Sequence, residues 1–374
     1  MEFEPFHLER WQSLHEHQVR YNLSESGVHP LTVQELLELT GEPDMKKALM
    51  GERLGYPQTN GTSGLRTRIA AMYEGVDPHG VLATVGGAEA NFVALWQLLD
   101  PETPVATVFP TYMQIPGLVR SLGGRVLPVP LEEEAGWAPD LDALRDALSR
   151  GARVVVVTNP NNPTGAVLST AAMDEIVEAA RSVDAWILAD EVYRGAELAG
   201  PETPSFMGRY PRVLVTGSLS KAYGLPGLRL GWVAGAPDAV DELWGRKDYT
   251  TIAPTRLSDL LARAALEPGT REKLLERTRG ILRENLPVLE RWVRELDGRV
   301  SFQPPRAGAI AYLRYRSAIN SSALAQEIRR VKDVLVVPGD QFGMDGYLRV
   351  GYGEPGPRLE EALSRVGETL RALD

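Results

Sequence analysis

The sequence predicts an α/β fold, with a large domain built on a mostly parallel β-sheet and a smaller α+β domain beside it. Between Val81 and Gly235, short β-branched runs alternate with amphipathic helical stretches, as expected for buried strands joined by crossover helices. After Pro254 the pattern changes to long charged helices with fewer strands. At 374 residues the chain is also too long for one ordinary hydrophobic core.

Seven strands are predicted in the first region, and each is a short, largely apolar run. In chain order they are Val81–Val85, Val105–Phe109, Arg125–Val129, Arg153–Thr158, Trp186–Ala189, Val213–Gly217 and Gly231–Ala234. Stretches with apolar residues at helical spacing lie between several of them, at Asn91–Leu99, Leu141–Leu148 and Thr170–Ser182. Strands and helices that alternate in this way predict a parallel sheet covered by helices.

The region after Pro254 predicts a compact α+β domain. Its helices are expected at Leu260–Leu266, Thr270–Leu296, Ser322–Val331 and Pro357–Leu373, and its strands at Ala309–Tyr315, Val334–Val337 and Tyr347–Val350. The second helix is expected to cross between the domains. Residues 1–45 contain few helix or strand signals, so we expect them to pack on this C-terminal domain. The predicted division is residues 46–265 for the large domain and residues 1–45 plus 266–374 for the small one.

Charge and composition narrow the class of protein. The formal net charge of −10 argues against nucleic acid as a partner, because phosphates require a basic surface. The chain has no cysteine, which excludes disulfides, thiolate metal sites and cysteine nucleophiles, and no metal site is predicted. No apolar run approaches the ~20 residues that span a membrane. The N-terminus is charged from its second residue and lacks the apolar core of a signal peptide, so we expect a cytoplasmic enzyme.

Chemistry is expected where the strands end, because ligands of open α/β sheets lie at the carboxyl ends of the strands. The first predicted strand is followed by Gly86-Gly87-Ala88-Glu89 and a helix. Small residues at the start of a helix leave backbone N–H groups free for a phosphate, but a tight strand-to-helix turn explains the two glycines equally well. The Walker and Gly-x-Gly-x-x-Gly spacings are absent, which disfavours nucleoside triphosphates and dinucleotides.

Two further strand ends are followed by polar groups. One is followed by Asn159-Pro160-Asn161-Asn162-Pro163-Thr164-Gly165, whose prolines and glycine predict a rigid turn that presents asparagine amides to a ligand. The next is followed by Asp190 and Tyr193. A carboxylate at the end of an apolar run is costly to bury without a partner, and a pyridinium N–H would be such a partner.

Lys221 is the most informative residue of the chain. It is one of only six lysines, and it lies after another predicted strand, in Ser218-Leu219-Ser220-Lys221-Ala222-Tyr223-Gly224-Leu225-Pro226-Gly227-Leu228-Arg229. A lysine with a lowered pKa forms Schiff bases with aldehydes, and the neighbouring serine and arginine suit a phosphate. The alternative, a solvated surface lysine, leaves the serines, glycines and arginine around it unexplained.

The order of these motifs resembles the class I and II aminotransferases, which are fold-type I pyridoxal-5′-phosphate (PLP) enzymes. The shared motifs are Gly-Gly-Ala-Glu, Asn-Asn-Pro-Thr-Gly, Asp-x-x-Tyr, Ser-x-x-Lys with an arginine eight residues after the lysine, and Arg-Val-Gly-Tyr-Gly. The match runs over nearly the whole chain. It implies the PLP-dependent transferase (aspartate aminotransferase-like) fold, PLP as the cofactor, and an amino acid and a 2-oxo acid as small-molecule partners.

The resemblance also implies roles for the matching residues around the cofactor. Lys221 would form the Schiff base with PLP and, once displaced by substrate, move the α-proton. Asp190 would keep the pyridine nitrogen protonated. Tyr193 and Asn162 would hydrogen-bond the ring oxygen, and Tyr112 would stack on the ring.

The remaining implied residues bind phosphate or substrate. The phosphate would be held by Gly87, Ala88, Ser218 and Arg229. Tyr56 resembles the tyrosine that reaches the phosphate of the neighbouring subunit, which implies a homodimer with shared active sites. Arg349 resembles the arginine that binds the substrate α-carboxylate, and Gly27 and Asn162 would also lie on the substrate side.

Two departures from the family pattern leave the reaction open. Ala88 replaces the Ser, Thr or Lys of many relatives, so only its backbone remains for the phosphate. Residues 22–29 resemble the start of capreomycidine synthase-like members, which build a ring on an arginine skeleton. The resemblance to the family as a whole favours an aminotransferase, which would transfer the α-amino group of an amino acid to a 2-oxo acid. The alternatives are a PLP-dependent lyase, cyclase or oxidase that acts through the same quinonoid and, more distantly, a PLP-sensing regulator without enzyme activity.

A pair of cations, Arg246 and Lys247, allows two interpretations. The plainer one is the end of an amphipathic helix, where positive charge is favourable. The other is a positive charge that would bind an acidic substrate side chain.

Overall fold

The structure of the protein is a computed structural model that describes residues 4–41 and 44–373. Residues 1–3, 42–43 and 374, which fall in the predicted small domain, lie outside the described residues. Within the described part, an eight-stranded sheet and a four-stranded sheet are each covered by helices. No described helix is both long enough and apolar enough to span a membrane.

The described residues form fourteen strands. They are β1 (Tyr21–Asn22), β2 (Val81–Thr84), β3 (Pro104–Phe109), β4 (Arg125–Glu132), β5 (Ala138–Pro139), β6 (Val154–Thr158), β7 (Trp186–Asp190), β8 (Val213–Ser218), β9 (Gly231–Ala234), β10 (Val300–Phe302), β11 (Ile310–Tyr315), β12 (Val334–Leu335), β13 (Val337–Pro338) and β14 (Tyr347–Gly351).

The eight-stranded sheet has the order β2-β9-β8-β7-β6-β3-β4-β5. Strands β8, β7, β6, β3 and β4 run parallel, whereas β9 is antiparallel to both of its neighbours and β5 is antiparallel to β4. All seven strands predicted for the first region are present in this sheet. The α/β prediction with a mostly parallel sheet is therefore confirmed.

Both faces of this sheet are buried, which explains why its strands are continuous apolar runs. Successive side chains of a strand point to opposite faces, so Val154 and Val156 of β6 join one hydrophobic cluster while Val155 and Val157 join the other. Every residue of β2, β6, β8 and β9 is buried.

The described residues form thirteen α-helices, and six of them are preceded by a residue whose side chain caps the first turn. The thirteen are α1 (His7–His15), α2 (Val33–Thr40), α3 (Met45–Gly51), α4 (Ser63–Ala70), α5 (Gly86–Leu98), α6 (Gln114–Ser121), α7 (Leu141–Ser149), α8 (Thr170–Ser182), α9 (Pro237–Lys247), α10 (Arg256–Ala265), α11 (Pro268–Arg294), α12 (Ser321–Lys332) and α13 (Gly356–Arg371). Ser169 caps α8 through the backbone N–H of Ala172, and Asp140 caps α7 in the same way.

Helix α5 begins five residues before the predicted Asn91, at Gly86. The sequence signal was weak because the first turn contains two glycines, which disfavour helix. The turn is stabilised by the Glu89 carboxylate, which accepts the backbone N–H of Val85 at 2.6 Å. This earlier start places the beginning of α5 directly after β2.

The four-stranded sheet is antiparallel, with the order β10-β11-β14-β13. The predicted single strand Val334–Val337 is instead two short strands in different sheets. β12 pairs in parallel with β1, whereas β13 pairs with β14. The break falls at Val336, whose carbonyl oxygen accepts the indole N–H of Trp11 at 2.9 Å.

The N-terminal segment lies against both sheets. The Leu23 carbonyl oxygen accepts the backbone N–H of Gly351, at the end of β14, at 2.7 Å. The Glu9 carboxylate of α1 accepts the hydroxyl of Tyr112, which follows β3, at 2.7 Å. Helix α1 therefore bridges the two parts of the chain. The division into domains at residues 46 and 265 stays a prediction.

Candidate active site

The carboxyl ends of the parallel strands meet along one edge of the large sheet and open into a cavity of about 280 Å³. Thr158 at the end of β6 pairs in register with Asp190 at the end of β7, and Asp190 pairs with Thr216 of β8. The start of α5 and the N-terminal segment complete the wall. The cavity thus lies where α/β sheets bind ligands.

Most of the residues expected from the sequence line this one cavity, although they come from distant parts of the chain. They are Gly87, Ala88, Tyr112, Asn162, Asp190, Tyr193, Ser218, Lys221, Arg229 and Arg349. Gly27 packs behind Lys221, since a Cβ atom built on it would lie 3.2 Å from the carbonyl oxygen of Ser220. Tyr56 is not part of the cavity, and its side chain is 85% exposed.

Asp190 is a buried carboxylate held by hydrogen bonds on both oxygens. Its Oδ2 accepts the side-chain amide of Asn91 at 3.0 Å, and its Oδ1 accepts the backbone N–H of Val192 at 3.2 Å. Burial raises the pKa of Asp190, while these two donors and the Lys221 charge oppose the rise. Such a carboxylate is oriented for a ligand that brings its own N–H group.

Asn91 was not expected as a site residue from the sequence. Its Oδ1 accepts the hydroxyl of Thr216 at 2.8 Å, which leaves the amide N–H₂ directed to Asp190. The signal in the sequence is its spacing, because a residue four positions after Gly87 lies on the same face of α5. Asn91 therefore orients the Asp190 carboxylate.

Lys221 follows β8 and is partly buried beside Arg349 and Arg229. Burial lowers the pKa of Lys221, and the charges of these two arginines add to the effect, whereas Glu25 and Glu9 oppose it. A lowered pKa increases the fraction of neutral amine, which is the form that attacks an aldehyde.

The side of the cavity next to α5 has the donors that a phosphate requires. The guanidinium of Arg229 lies against Gly86, where a Cβ atom would be 2.5 Å from Nη2. A side chain at Gly231 would collide with the Gly86 backbone, so both positions require glycine. Arg229 donates to Ser220 Oγ at 3.4 Å and to the Pro226 carbonyl at 3.2 Å. Both acceptors are neutral, so these contacts leave its charge available for an anion.

Arg349 lies on β14, across the cavity from the phosphate side, and is 1% exposed. Its guanidinium donates to Asn162 Oδ1 at 3.1 Å and to the Ser24 carbonyl at 2.6 Å, and its Nε has no partner within the described residues. Both acceptors are again neutral. Burial lowers the pKa of this arginine although the charges of Glu9 and Glu25 oppose the effect, and a carboxylate ligand would stabilise the buried guanidinium further.

Tyr193 is buried beside the arginine of β14. Burial raises the pKa of Tyr193 to about 12, while the Arg349 charge and the Ser26 side chain oppose the rise. Its hydroxyl makes no hydrogen bond of normal geometry to the described residues. With the Asn162 amide it forms a polar wall that fits an oxygen of a ligand ring.

Carboxylates on the N-terminal segment were missed by the sequence analysis. Glu9, Glu16 and Glu25 all line the cavity. Glu9 accepts the hydroxyl of Tyr112, whose ring also contacts Phe6 edge-on at 5.4 Å. The first two lie seven residues apart on an N-terminal stretch whose sequence has few helix or strand signals. Their place in the site depends on tertiary contacts that this local pattern does not encode.

Lys247 does not face the cavity, which contradicts the interpretation that it binds an acidic substrate side chain. It is fully buried, and its ammonium group donates to the carbonyl oxygens of Thr59 and Ile252. No cluster of His, Asp or Glu that could hold a metal ion is found in the described part of the chain.

The residues of the cavity fit the cofactor expected from the sequence. The uncompensated guanidinium of Arg229, with Ser218, Ser220 and the first turn of α5, matches a phosphate. The oriented carboxylate of Asp190 matches a pyridine N–H, and the amine of Lys221 matches an aldehyde. The aromatic ring of Tyr112 supplies a stacking surface.

Comparison with known proteins agrees with this fit. Residues 22–366 match the family described as aminotransferase class I and II. The chain is 33% identical over 369 residues to the capreomycidine synthase of Streptomyces vinaceus. The alignment covers 97% of this chain and 93% of that protein.

Two solved structures are similar over their full lengths. A PLP-dependent aminotransferase from Streptococcus suis superimposes with a TM-score of 0.94 at 35% identity, covering 100% of this chain and 99% of that one. A PLP-dependent cyclase, OrfR, superimposes with a TM-score of 0.89 at 26% identity, covering 100% of this chain and 98% of that one. The chain belongs to the class I and II aminotransferase family, and pyridoxal phosphate is its cofactor.

Proposed function

We propose that the chain is an aminotransferase that takes the α-amino group from an amino acid with a cationic side chain and passes it to a 2-oxo acid. The observation that supports the proposal is the buried guanidinium of Arg349, whose Nε has no partner within the described residues and which lines the same cavity as Lys221. An α-carboxylate is common to the amino acid and the oxo acid. One arginine can therefore hold both substrates in turn.

When bound, PLP supplies an electron sink that makes the α-proton of the amino acid acidic. In the proposed roles, Asp190 accepts the N–H of the pyridine ring, and Asn91 keeps its carboxylate oriented. Arg229, Ser218 and the N–H groups of Gly87 and Ala88 bind the phosphate. Tyr193 and Asn162 donate to the ring oxygen, and Tyr112 stacks on the ring.

Lys221 is proposed as the base that takes and returns the α-proton at Nζ. Burial lowers the pKa of Lys221, which increases the fraction of neutral amine that can accept the proton. Arg349 holds the α-carboxylate, which fixes the rotation of the substrate about its Cα atom. These two contacts together decide which bond of the substrate faces the base.

The charge balance of the cavity supports a cationic side chain. Arg229 and Arg349 are matched by the phosphate and the α-carboxylate, and Asp190 is matched by the ring N–H. That leaves the three carboxylates of Glu9, Glu16 and Glu25 without a partner charge from the cofactor. A guanidinium or ammonium group on the substrate would supply it.

A PLP-dependent cyclase, lyase or oxidase is the second candidate. It is favoured by the similarity to capreomycidine synthase and to the cyclase OrfR. These reactions would use the same cofactor, carboxylate clamp and base. They differ in what happens to the substrate after the α-proton has been removed.

A panel of amino acids tests both parts of the proposal. Arginine and lysine are compared with their uncharged analogues citrulline and norleucine, and the visible spectrum is followed without and with an added 2-oxo acid. Transamination predicts conversion to pyridoxamine phosphate without an acceptor and recovery of the original band when the oxo acid is added. Release of ammonia or peroxide in place of this cycle would overturn the aminotransferase and favour the second candidate.

Two substitutions test the charge preference. Glu25→Gln should raise KM for the cationic amino acids about fivefold, as expected for an exposed charge pair of about 1 kcal/mol, and leave KM for the uncharged analogues unchanged. Glu9→Gln keeps the acceptor oxygen for Tyr112 and removes only the charge. Equal KM changes for charged and uncharged substrates would reject the cationic preference.

The exposure of Tyr56 supports a homodimer with shared active sites. It lies on a stretch that also exposes Met50 and Leu54, next to an exposed stretch with Tyr249 and Ile252. Glu52 also forms an ion pair at 2.7 Å with Arg256, the first residue of α10. Apolar surface of this kind is typical of subunit contacts. We propose that Tyr56 reaches the cofactor phosphate in a second copy of the chain.

A further inference from the structure

Lys247, at the end of α9, is a charged residue in a place where charge is costly. Its side chain is fully buried, and burial lowers its pKa while the Glu89 charge opposes the effect. Its Nζ donates to the carbonyl oxygen of Thr59 at 3.2 Å and to that of Ile252 at 2.6 Å. The ammonium group therefore joins two backbone segments that are almost two hundred residues apart.

Helix α9 holds Thr59 through a second contact. The indole Nε1 of Trp244 donates to Thr59 Oγ1 at 2.9 Å. Trp244 and Lys247 are three residues apart and therefore lie on the same face of α9. Thr59 follows Tyr56 by three residues, and residues 52–58 form neither helix nor strand. These two hydrogen bonds thus fasten an irregular segment to a helix that is packed on the sheet.

The Ile252 side of Lys247 is fastened to the phosphate side of the cavity. Glu89, in the first turn of α5, accepts the hydroxyls of Thr250 and Thr251 with Oε1 and the backbone N–H of Val85 with Oε2. The turn that lines the cavity, the stretch at 250–252 and the segment after Tyr56 therefore form one hydrogen-bonded framework. Lys247 connects the stretch at 250–252 to the segment after Tyr56.

We infer that Lys247 is a positioning residue that sets the segment presenting Tyr56 to the active site of a second copy of the chain. The inference rests on the shared-site homodimer proposed above. Replacing the lysine with methionine keeps the length of the side chain but leaves the carbonyls of Thr59 and Ile252 without their donor. The Tyr56 segment then keeps only the Trp244 hydrogen bond to α9, and its hydroxyl is no longer held in position for the PLP phosphate of the partner.

Mixed dimers separate this role from a general effect on folding. One protomer keeps Lys221 and its partner carries Lys221→Ala, so only the first protomer forms the visible band of lysine-linked PLP. PLP is titrated into the apo dimers while this band is recorded. Lys247→Met is placed either on the reporting protomer or on the Lys221→Ala protomer, which lends its Tyr56 to the reporting site.

The expected result depends on the placement. On the lending protomer, Lys247→Met should raise the half-saturating PLP concentration by about tenfold or more, the effect of one lost hydrogen bond to a charged phosphate. On the reporting protomer it should change that concentration by less than about threefold, since the segment that it loosens serves the other site. Equal effects from both placements would show that Lys247 only supports its own subunit, and would overturn the inference.

Tyr56→Phe in the same two placements tests the shared site independently. If Tyr56→Phe depends on placement and Lys247→Met does not, the shared site stands and the role of Lys247 is wrong. If Tyr56→Phe is also indifferent to placement, the shared site fails and the inference fails with it. Trp244→Phe removes the second hydrogen bond to Thr59 while keeping an aromatic ring. It should show the same dependence on placement, and it serves where Lys247→Met does not fold.

Discussion

Replacing Arg349 with lysine tests how the substrate is held. The guanidinium is almost completely buried, two of its nitrogens are occupied by Asn162 and the Ser24 carbonyl, and Nε has no partner within the described residues. Lysine keeps the charge but replaces the planar fork with a single ammonium group. The α-carboxylate then loses at least one charge-assisted hydrogen bond, worth about 1.5–3 kcal/mol.

This loss corresponds to an increase in KM of about 10- to 150-fold for amino acid substrates. The dissociation constant of PLP should not change, because Arg349 lies across the cavity from the phosphate side. Steady-state kinetics and PLP titration measure the two quantities separately. Arg314→Lys, on the exposed face of the neighbouring strand β11, is the matched control and should leave both unchanged.

Amines without a carboxylate provide the decisive comparison for Arg349→Lys. They make no contact with the guanidinium fork, so their slow turnover should be the same in the variant and the wild type. If amines and amino acids lose activity equally, Arg349 supports the sheet and does not bind the substrate.

Three further substitutions address the cofactor and stability. Lys221→Ala should abolish the visible band and its fixation by borohydride, and a band that persists would place the linkage on another lysine. Asp190→Asn should preserve folding and PLP binding but slow deuterium exchange at the substrate Cα by several orders of magnitude; a near wild-type exchange rate would make Asp190 a structural residue. Burial raises the pKa of Glu191 from 4.5 to about 7, so its contribution to stability is present at low pH and is lost as pH rises through about 7. Between pH 5 and pH 8 the wild type should therefore lose up to about 3 kcal/mol of unfolding free energy relative to Glu191→Gln, and parallel denaturation curves for the two proteins would refute this.

The strands and the residues that follow them could be predicted because both depend on local sequence. β-branched apolar runs specify buried strands, and polar residues after each run mark the sheet edge at which ligands bind. Lys221, Asp190 and Asn162 were found in this way, and the structure brings them into one cavity. The bounds of β9 and α8 also agree with the predicted ones.

The missed features depend on contacts between distant parts of the chain. The helix that contains Asn91 was predicted to start at this residue, because the two glycines before it disfavour helix. Its position on the first turns of α5, and hence its hydrogen bond to Asp190, could not be predicted. Glu9 accepts the hydroxyl of Tyr112 only because α1 packs between the two parts of the chain. The strand pairing of β12 ends before Val336, whose carbonyl oxygen accepts the indole N–H of Trp11 in α1. Periodicity within a segment contains no information on such pairs.

The contact between Gly86 and Gly231 has a consequence for engineering the affinity for the cofactor. Gly231 cannot carry a side chain because a Cβ atom there would collide with the Gly86 backbone. Gly86 has a positive φ of 78° and lies against the Arg229 guanidinium, so a phosphate donor cannot be introduced at either position. Ala88 follows Gly87 in the first turn of α5 and lines the cavity. Replacing it with serine would add a hydroxyl donor without moving the backbone. Substitution of Ala88 should therefore change the residence time of bound PLP, whereas Gly86 and Gly231 offer no position for such a change.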